Sequence, residues 1–373
     1  MNSLKHLHFL TMMALLAISP GFLTATAGNF PLGTGLEAKI QYGFVIRHHL
    51  DMGLYSNRRF TAAELNLTFQ TEGDKPWHQA YALPEYGIAY FYSDLGNTPI
   101  LGNVHALLPW VRFPLVKGGS YRFSLRAALG AGYLNKPFDR KDNFKNLSIG
   151  SHVNPGIQFH FESRIKVSDK LFINGGFSFT HFSNGAIKSP NYGINLPMLT
   201  AGLLYFPNPR TTVRQLADMK LVDKQWEARI SVQNGIKQIE PLLGPQYYVI
   251  AFSGDFVKPV TLKSRLGFGA DLFFDTSDQA NLEQDGDTLS NVLEVVKPGI
   301  KGIYELDLGR LRMNFEIGVY VYGRDQGDGF LYDKLGLKYF VTKSAFMSFT
   351  LKSHYARADF IAVGLGYKLP LGL

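Results

Sequence analysis

From residue 36 onward the chain alternates apolar and polar positions in one run after another. Leu36, Ala38, Ile40, Tyr42, Phe44 and Ile46 interleave with Glu37, Lys39, Gln41 and Arg47. Tyr121, Phe123, Leu125, Ala127 and Leu129 interleave with Arg122, Ser124, Arg126 and Gly130. Leu311, Met313, Phe315, Ile317, Val319 and Val321 interleave with Arg312, Asn314 and Glu316, and Met347, Phe349 and Leu351 with Ser348, Thr350 and Lys352. A period of two puts successive side chains on opposite faces of an extended strand. The pattern predicts strands over 36–48, 60–71, 85–93, 104–116, 120–133, 149–166, 171–182, 198–206, 224–235, 246–257, 260–275, 297–308, 311–323, 330–341, 345–355 and 358–371.

In a soluble sandwich the polar face of such strands meets water and the apolar face forms the core. In a membrane barrel the apolar face meets lipid, and Glu, Arg and Lys pair in the lumen. The connections favour the barrel. Tight turns fall at Lys117-Gly118-Gly119, Ser168-Asp169-Lys170, Lys258-Pro259, Gly309-Arg310 and Lys343-Ser344, whereas 134–148, 184–197 and 276–296 are long. Short periplasmic turns and long outer loops are the habit of outer-membrane barrels. Two stretches, 72–84 and 207–223, are long on the side expected to be short.

The expected fold is therefore all-β, a transmembrane antiparallel barrel of the outer membrane with roughly 14–16 strands. Two eight-stranded barrels in tandem are the alternative, because Glu37-Ala38-Lys39-Ile40 is echoed by Glu227-Ala228-Arg229-Ile230. Phe179-Thr180-His181-Phe182 is more loosely echoed by Lys352-Ser353-His354-Tyr355, but Ala356 stands where Ser183 would recur. His354 shares a face with Thr350 and Lys352 and is expected to point inward. The organisation read from the chain is a signal peptide over 1–27, a barrel region over 28–206, a connecting segment over 207–223 with a short helix at Arg214 to Leu221, and a second barrel region over 224–373.

Composition agrees. The 373 residues include 29 Phe, 19 Tyr and 38 Gly, with 46% hydrophobic residues overall. The first residues carry Lys5, an apolar stretch from Phe9 to Ile18 and Ala25-Thr26-Ala27, the order of a cleaved export signal. The absence of Cys excludes a lipid-anchored cysteine and a disulfide framework. The formal charge of +8 suits an anionic lipid surface, and no basic helix or aromatic–basic repeat points to nucleic acid.

The candidate chemistry lies at the end of the strand Gly176-Phe177-Ser178-Phe179-Thr180. Phe177, Phe179, His181 and Ser183 share one face. A His beside a Ser can turn the hydroxyl into a nucleophile. If that face looks at lipid, the pair would act on a membrane ester.

The stretch His181 to Asn195, HFSNGAIKSPNYGIN, with the following MLTAGLLYF, resembles the active-site signature of the lipid A 3-O-deacylase (PagL) family. The family pattern is His-x-Ser-Asn, a Pro-Asn-x-Gly loop and then an acidic residue. Trp77 to Gly102, with Pro84, Tyr86-Gly87 and Asp94-Leu95-Gly96-Asn97, resembles the longer acyloxyacyl hydrolase relatives. The resemblance implies an outer-membrane serine esterase that removes an ester-linked acyl chain from lipid A, or lipopolysaccharide, without a cofactor. Ser183 would be the nucleophile and His181 the general base, with Asn184 and Asn191 in the oxyanion hole. Gly185 and Gly193 would let the loop turn, and Pro190 would hold its shape. The family's acidic residue falls on Asn195, which can orient a His but supplies no charge. Asp51 and Asp94, near predicted rims, are candidates for a substitute acid. The rival reading is a non-enzymatic porin or a channel for hydrophobic compounds.

Other clusters are weaker. Lys136, Arg140, Lys141, Lys145 and Lys188 read as a solvated basic rim, with lipid A phosphates as the ligand such a rim could hold. Asp278, Asp285 and Asp287 lack the spacing of a Ca²⁺ loop. His48-His49 and His105 define no metal set, so no metal is expected. Oligomeric state is left open.

Overall fold

The computed structural model describes residues 30–56, 58–211, 225–239, 242, 244–287, 291–325, 327–355 and 357–370. The expected signal peptide and the helix expected at Arg214 to Leu221 lie outside them, as does Ala356. Sixteen strands form. They are β1 (Thr34–Phe44), β2 (Arg59–Gln70), β3 (Glu85–Ser93), β4 (Val104–Gly118), β5 (Tyr121–Leu134), β6 (Val153–Lys166), β7 (Leu171–Phe182) and β8 (Ile194–Tyr205), then β9 (Glu227–Gln238), β10 (Gln246–Pro259), β11 (Ser264–Asp275), β12 (Val296–Leu308), β13 (Leu311–Tyr320), β14 (Leu331–Phe340), β15 (Ala345–His354) and β16 (Arg357–Leu369). Two short helices, α1 (Pro76–Ala80) and α2 (Thr276–Gln284), lie in connections.

The sheet closes twice. β1 to β8 form one antiparallel barrel and β9 to β16 another. β1 closes on β8 from Leu36↔Tyr205 to Gly43↔Met198, and β9 closes on β16 from Ala228↔Leu369 to Ile236↔Ile361. The transmembrane barrel class and the strand count hold, but the tandem alternative forms in place of the single large barrel. The stretch at 207–223 thus follows a completed barrel and is no turn within one. The other anomalous connection, 72–84, contains α1.

Charge explains why each set of eight strands closes on itself. Inside the first barrel, buried Glu37, Glu64, Glu85 and Glu162 face buried Lys39, Arg112, Arg126 and Arg164. Arg112 donates to Glu85 at 2.8 Å and to Glu37 at 2.7 Å and also meets Glu162; Lys39 reaches Glu162 at 2.6 Å and Arg126 reaches Glu64 at 2.8 Å. Inside the second barrel, Lys301 lies 2.9 Å from each of Asp255, Asp271 and Glu316, and Arg229 donates to Glu305 at 2.8 Å. An eight-stranded lumen is narrow enough for side chains from opposite walls to fill it. A sixteen-stranded lumen would hold water, and these charges would lie too far apart to pair.

The outer faces are apolar in both units. Ile40, Tyr42, Ile88, Tyr90, Phe161, Phe177 and Leu199 are exposed on the first barrel, and Phe252, Phe256, Phe268, Ile317, Val363 and Leu365 on the second. Such walls are stable only against lipid. No helix among the described residues is long and apolar enough to cross a membrane. The crossing is made by strands.

Toward its long-loop end the first barrel changes character. Its lumen there is packed with Val45, Met52, Phe91, Leu95, Leu101, Phe182, Ile194 and Leu196. Phe182 at the end of β7 is fully buried. Its ring sits against Gly132 and Gly156, where a Cβ would approach it to 2.6 Å. This inward wedge fixes the phase of the strand end, so the residues on either side of Phe182 face outward.

Candidate active site

Those neighbours are His181 and Ser183, both part-exposed beside the outward Phe177 and Phe179, while Ser178, Thr180 and Phe182 are fully buried. The shared face read from the sequence is thus an outer wall. The strand β8 begins at Ile194, four residues earlier than expected, so Asn195 is a strand residue and not a loop residue. In the β7–β8 ladder it sits directly opposite His181. Cross-strand pairing holds the two side chains together. His181 Nδ1 lies 2.6 Å from Asn195 Oδ1. A neutral imidazole bonded to a carbonyl-type oxygen through Nδ1 carries its hydrogen there, leaving Nε2 as a base.

The loop 183–193 folds back over this pair. Asn191 Nδ2 donates to Ser183 Oγ at 2.9 Å, and Asn191 Oδ1 accepts from the backbone N–H of Asn184 at 3.0 Å. The Asn184 side chain turns inward and donates to Ser151 Oγ at 2.9 Å. Of the two expected oxyanion donors, Asn191 therefore presents its side chain to Ser183, and Asn184 borders it through the backbone. Gly185 (φ +60°) turns the chain tightly, and Pro190 is buried. Gly193 (φ +82°) passes so close to the base that a Cβ there would lie 2.8 Å from the His181 ring.

The β5–β6 connection braces the loop. Gly193 N–H donates to Ser148 O at 2.9 Å and Tyr192 N–H to Leu147 O at 3.3 Å. Ser148 in turn bonds the Tyr55 hydroxyl at 3.0 Å, and burial pushes that phenol's pKa up. Neither Asp51 nor Asp94 reaches His181. Asp51 is exposed, and Asp94 accepts from Gly96 N–H at 3.1 Å. Among the described residues, Asn195 is the hydrogen-bond partner found for the His181 ring.

The sequence reading missed His48. Its Nδ1 lies 3.3 Å from Asn195 Nδ2 and its Nε2 lies 2.7 Å from Tyr192 O. Its ring neighbour His49 stacks on Tyr192 at 3.9 Å. The signal was barrel closure. Once β1 pairs with β8, the chain just past β1 must run beside the start of β8, and Ile46 N–H donates to Asn195 O at 2.9 Å.

The remaining clusters do not form a second site around His181. Asp278 binds Lys297 at 3.0 Å and Asp287 binds Arg324 at 2.9 Å, so these two acids are drawn to different cations. Arg140, Lys141, Lys145 and Lys188 are exposed on loops. In the second barrel Asp328, His354 and Asp359 approach one another, but Lys237 lies 2.6 Å from Asp359 and Lys352 also contacts it. Two ammonium groups already neutralise that carboxylate.

Residues 61–203 match the family described as lipid A 3-O-deacylase (PagL), and residues 225–371 match the acyloxyacyl hydrolase C-terminal domain. The chain is 28% identical over 127 residues to the lipid A deacylase PagL of Bordetella bronchiseptica, across 33% of this chain and 62% of that protein. Among solved structures, the outer membrane enzyme PagL aligns at 20% identity and a TM-score of 0.30, covering 44% of this chain and 97% of that one. Neisserial surface protein A aligns at 11% identity and a TM-score of 0.34, covering 46% and 96%.

Proposed function

Because this chain belongs to the PagL-like acyloxyacyl hydrolase family, we propose that it is an outer-membrane serine esterase that removes an ester-linked acyl chain from lipid A. The observation that carries the reading is the outward set at the long-loop end of the first barrel. Asn195 Oδ1 orients His181 at 2.6 Å, and Asn191 Nδ2 touches Ser183 Oγ at 2.9 Å, beside an apolar wall. A lipid diffusing in the outer leaflet would bring its ester to this face without leaving the membrane.

In the proposed mechanism, Ser183 Oγ attacks the acyl carbonyl carbon and His181 Nε2 takes the hydroxyl proton. The oxyanion is met by Asn191 Nδ2, whose amide is held in place by the backbone N–H of Asn184. The protonated His181 then gives its proton to the departing sugar oxygen. Water, deprotonated by the same imidazole, releases the fatty acid from Ser183. Each oxyanion donor of this kind is worth about 3–4 kcal/mol. Asn195 fixes the tautomer but does not neutralise the imidazolium, so the chemical step is slower than with a carboxylate there.

Packed, ion-paired lumens favour this reading over a channel. Export through residues 1–27 completes the proposal. Mass spectrometry of lipid A from cells expressing the wild type or Ser183→Ala tests it. Loss of one acyl chain with the wild type alone is expected. Unchanged lipid A with both folded proteins would overturn it.

A further inference from the structure

An amide has two different ends, and the site uses both ends of Asn195. The oxygen faces His181 Nδ1 at 2.6 Å and the nitrogen faces His48 Nδ1 at 3.3 Å. His48 Nε2 is 2.7 Å from Tyr192 O, and a carbonyl only accepts, so that nitrogen carries hydrogen. Nδ1 lies 3.3 Å from both Ile46 O and Asn195 Nδ2; because the much shorter Tyr192 bond takes the one hydrogen of the neutral ring, Nδ1 holds a lone pair, and the Asn195 NH₂ is the donor within reach of it. With this tautomer of His48, the two contacts of Asn195 match the amide rotamer that makes His181 a base.

We infer that His48 is a positioning residue of the esterase site, setting the Asn195 amide so that His181 presents a free Nε2, and that protonation of His48 reverses this setting. The inference rests on the serine esterase reading above. A doubly protonated His48 has two acceptors waiting, Tyr192 O at 2.7 Å and Ile46 O at 3.3 Å. Its Nδ1–H then opposes the Asn195 NH₂. Turning the amide over relieves that clash by pointing Oδ1 at His48. The NH₂ then faces His181 Nδ1, which must accept, so the hydrogen of neutral His181 moves to Nε2 and the base is lost. A carboxylate at 195 has two equivalent acceptors and could not transmit this change. The asymmetry of Asn195 therefore couples the base to a second histidine.

Charged and titratable neighbours come from each packed element. Arg47, His49 and Asp51 lie on the His48 segment, and Arg47 donates to Ser56 O at 3.2 Å. His49 meets His48 edge-on at 5.0 Å. Tyr55 follows on the same connection; Tyr192 and His181 face His48 from the β7–β8 hairpin. None of these is a carboxylate in contact with the His48 ring among the described residues.

The test combines the pH–rate profile with imidazole ¹⁵N shifts of the full chain in detergent micelles, for wild type, His48→Gln, His48→Ala and Asn195→Asp. The wild-type acid limb is expected to steepen toward a slope of about two in log rate against pH, since two protonations each disable the base. His48→Gln and Asn195→Asp should reduce it to about one. His48→Ala should lower kcat by about tenfold at neutral pH, the size of one lost hydrogen bond, with KM unchanged. The spectra should place the hydrogen of neutral His48 on Nε2 and move the His181 shifts when His48 is replaced. Identical acid limbs, or a neutral His48 protonated on Nδ1, would overturn the inference. Absence of Ser183-dependent acyl release at every pH would instead overturn the esterase reading, and the ¹⁵N shifts would still decide the relay.

Discussion

The two barrels end their last hairpins differently. In the first, β7 and β8 are joined by residues 183–193; in the second, β15 and β16 are joined by 355–356. Both seventh strands carry a His near the long-loop end, yet the rings face opposite ways. His181 lies on the outer wall opposite Asn195, whereas His354 is buried in the lumen and bonds the Tyr320 hydroxyl at 2.9 Å. On a strand, one residue of phase decides between lipid and lumen. The two echoing stretches therefore share a strand position but not the outward His. The first barrel combines the outward phase with a loop long enough to bring Asn191 onto Ser183, and the proposed chemistry is placed there for that reason.

The hydroxyls sharpen this contrast most. Ser183→Ala should cost at least about a thousandfold in kcat, the usual cost of losing a triad member. Ser353→Ala in the second barrel should leave initial rates of acyl release unchanged. Equal losses would mean that the second barrel shares the chemistry. Next come the lumens. Arg112 serves Glu37, Glu85 and Glu162, so Arg112→Ala takes one cation from three buried carboxylates, leaving Lys39 to Glu162 and Glu37 and Arg164 to Glu85. The expected loss is about 3–5 kcal/mol. Urea unfolding followed by the fluorescence of Trp110, whose ring lies 4.8 Å from the Arg112 guanidinium, reads it directly. An unchanged midpoint would mean that the ion pairs fill space without holding the barrel.

A smaller effect is expected at Asn195, where the resemblance read from the sequence implied an acidic residue. Asn195→Glu supplies the missing charge beside His181 and should raise kcat about tenfold at neutral pH. A slower enzyme would mean that the pocket is built around the amide. The smallest effect concerns α2 of the second barrel. Burial, and then the nearby Asp275 carboxylate, push the Asp278 carboxyl up to about 7, against the opposing pull of Lys297. A carboxyl raised in the folded state binds a proton that the unfolded chain releases, so its contribution is present at low pH. Stability of the wild type should fall as pH rises from about 4, the ordinary carboxylate value, toward 7. Asp278→Asn should be flat over that interval, measured by thermal unfolding at a series of pH values.

Much of the first barrel's site was legible along the chain. Period-two alternation placed His181 and Ser183 on one apolar face, because pleating leaves a strand residue only two directions. The expected strand ends fell within four residues of the observed ones; the four-residue misses are the end of β1, the starts of β6 and β11, and the start of β8, where Asn195 and Pro197 break the apolar run. Alternation alone therefore did not set Asn195 opposite His181, which depends on register; the resemblance was what paired them.

The sequence by itself determined the strands, their two faces and the outward His-x-Ser. Only the tertiary structure decided that the sheet closes after eight strands, because closure depends on which buried charges can reach one another across a lumen. The same closure decided the place of His48. Joining β1 to β8 sets a residue from the first connection against Asn195, 147 positions along the chain, and such a contact has no local pattern to announce it.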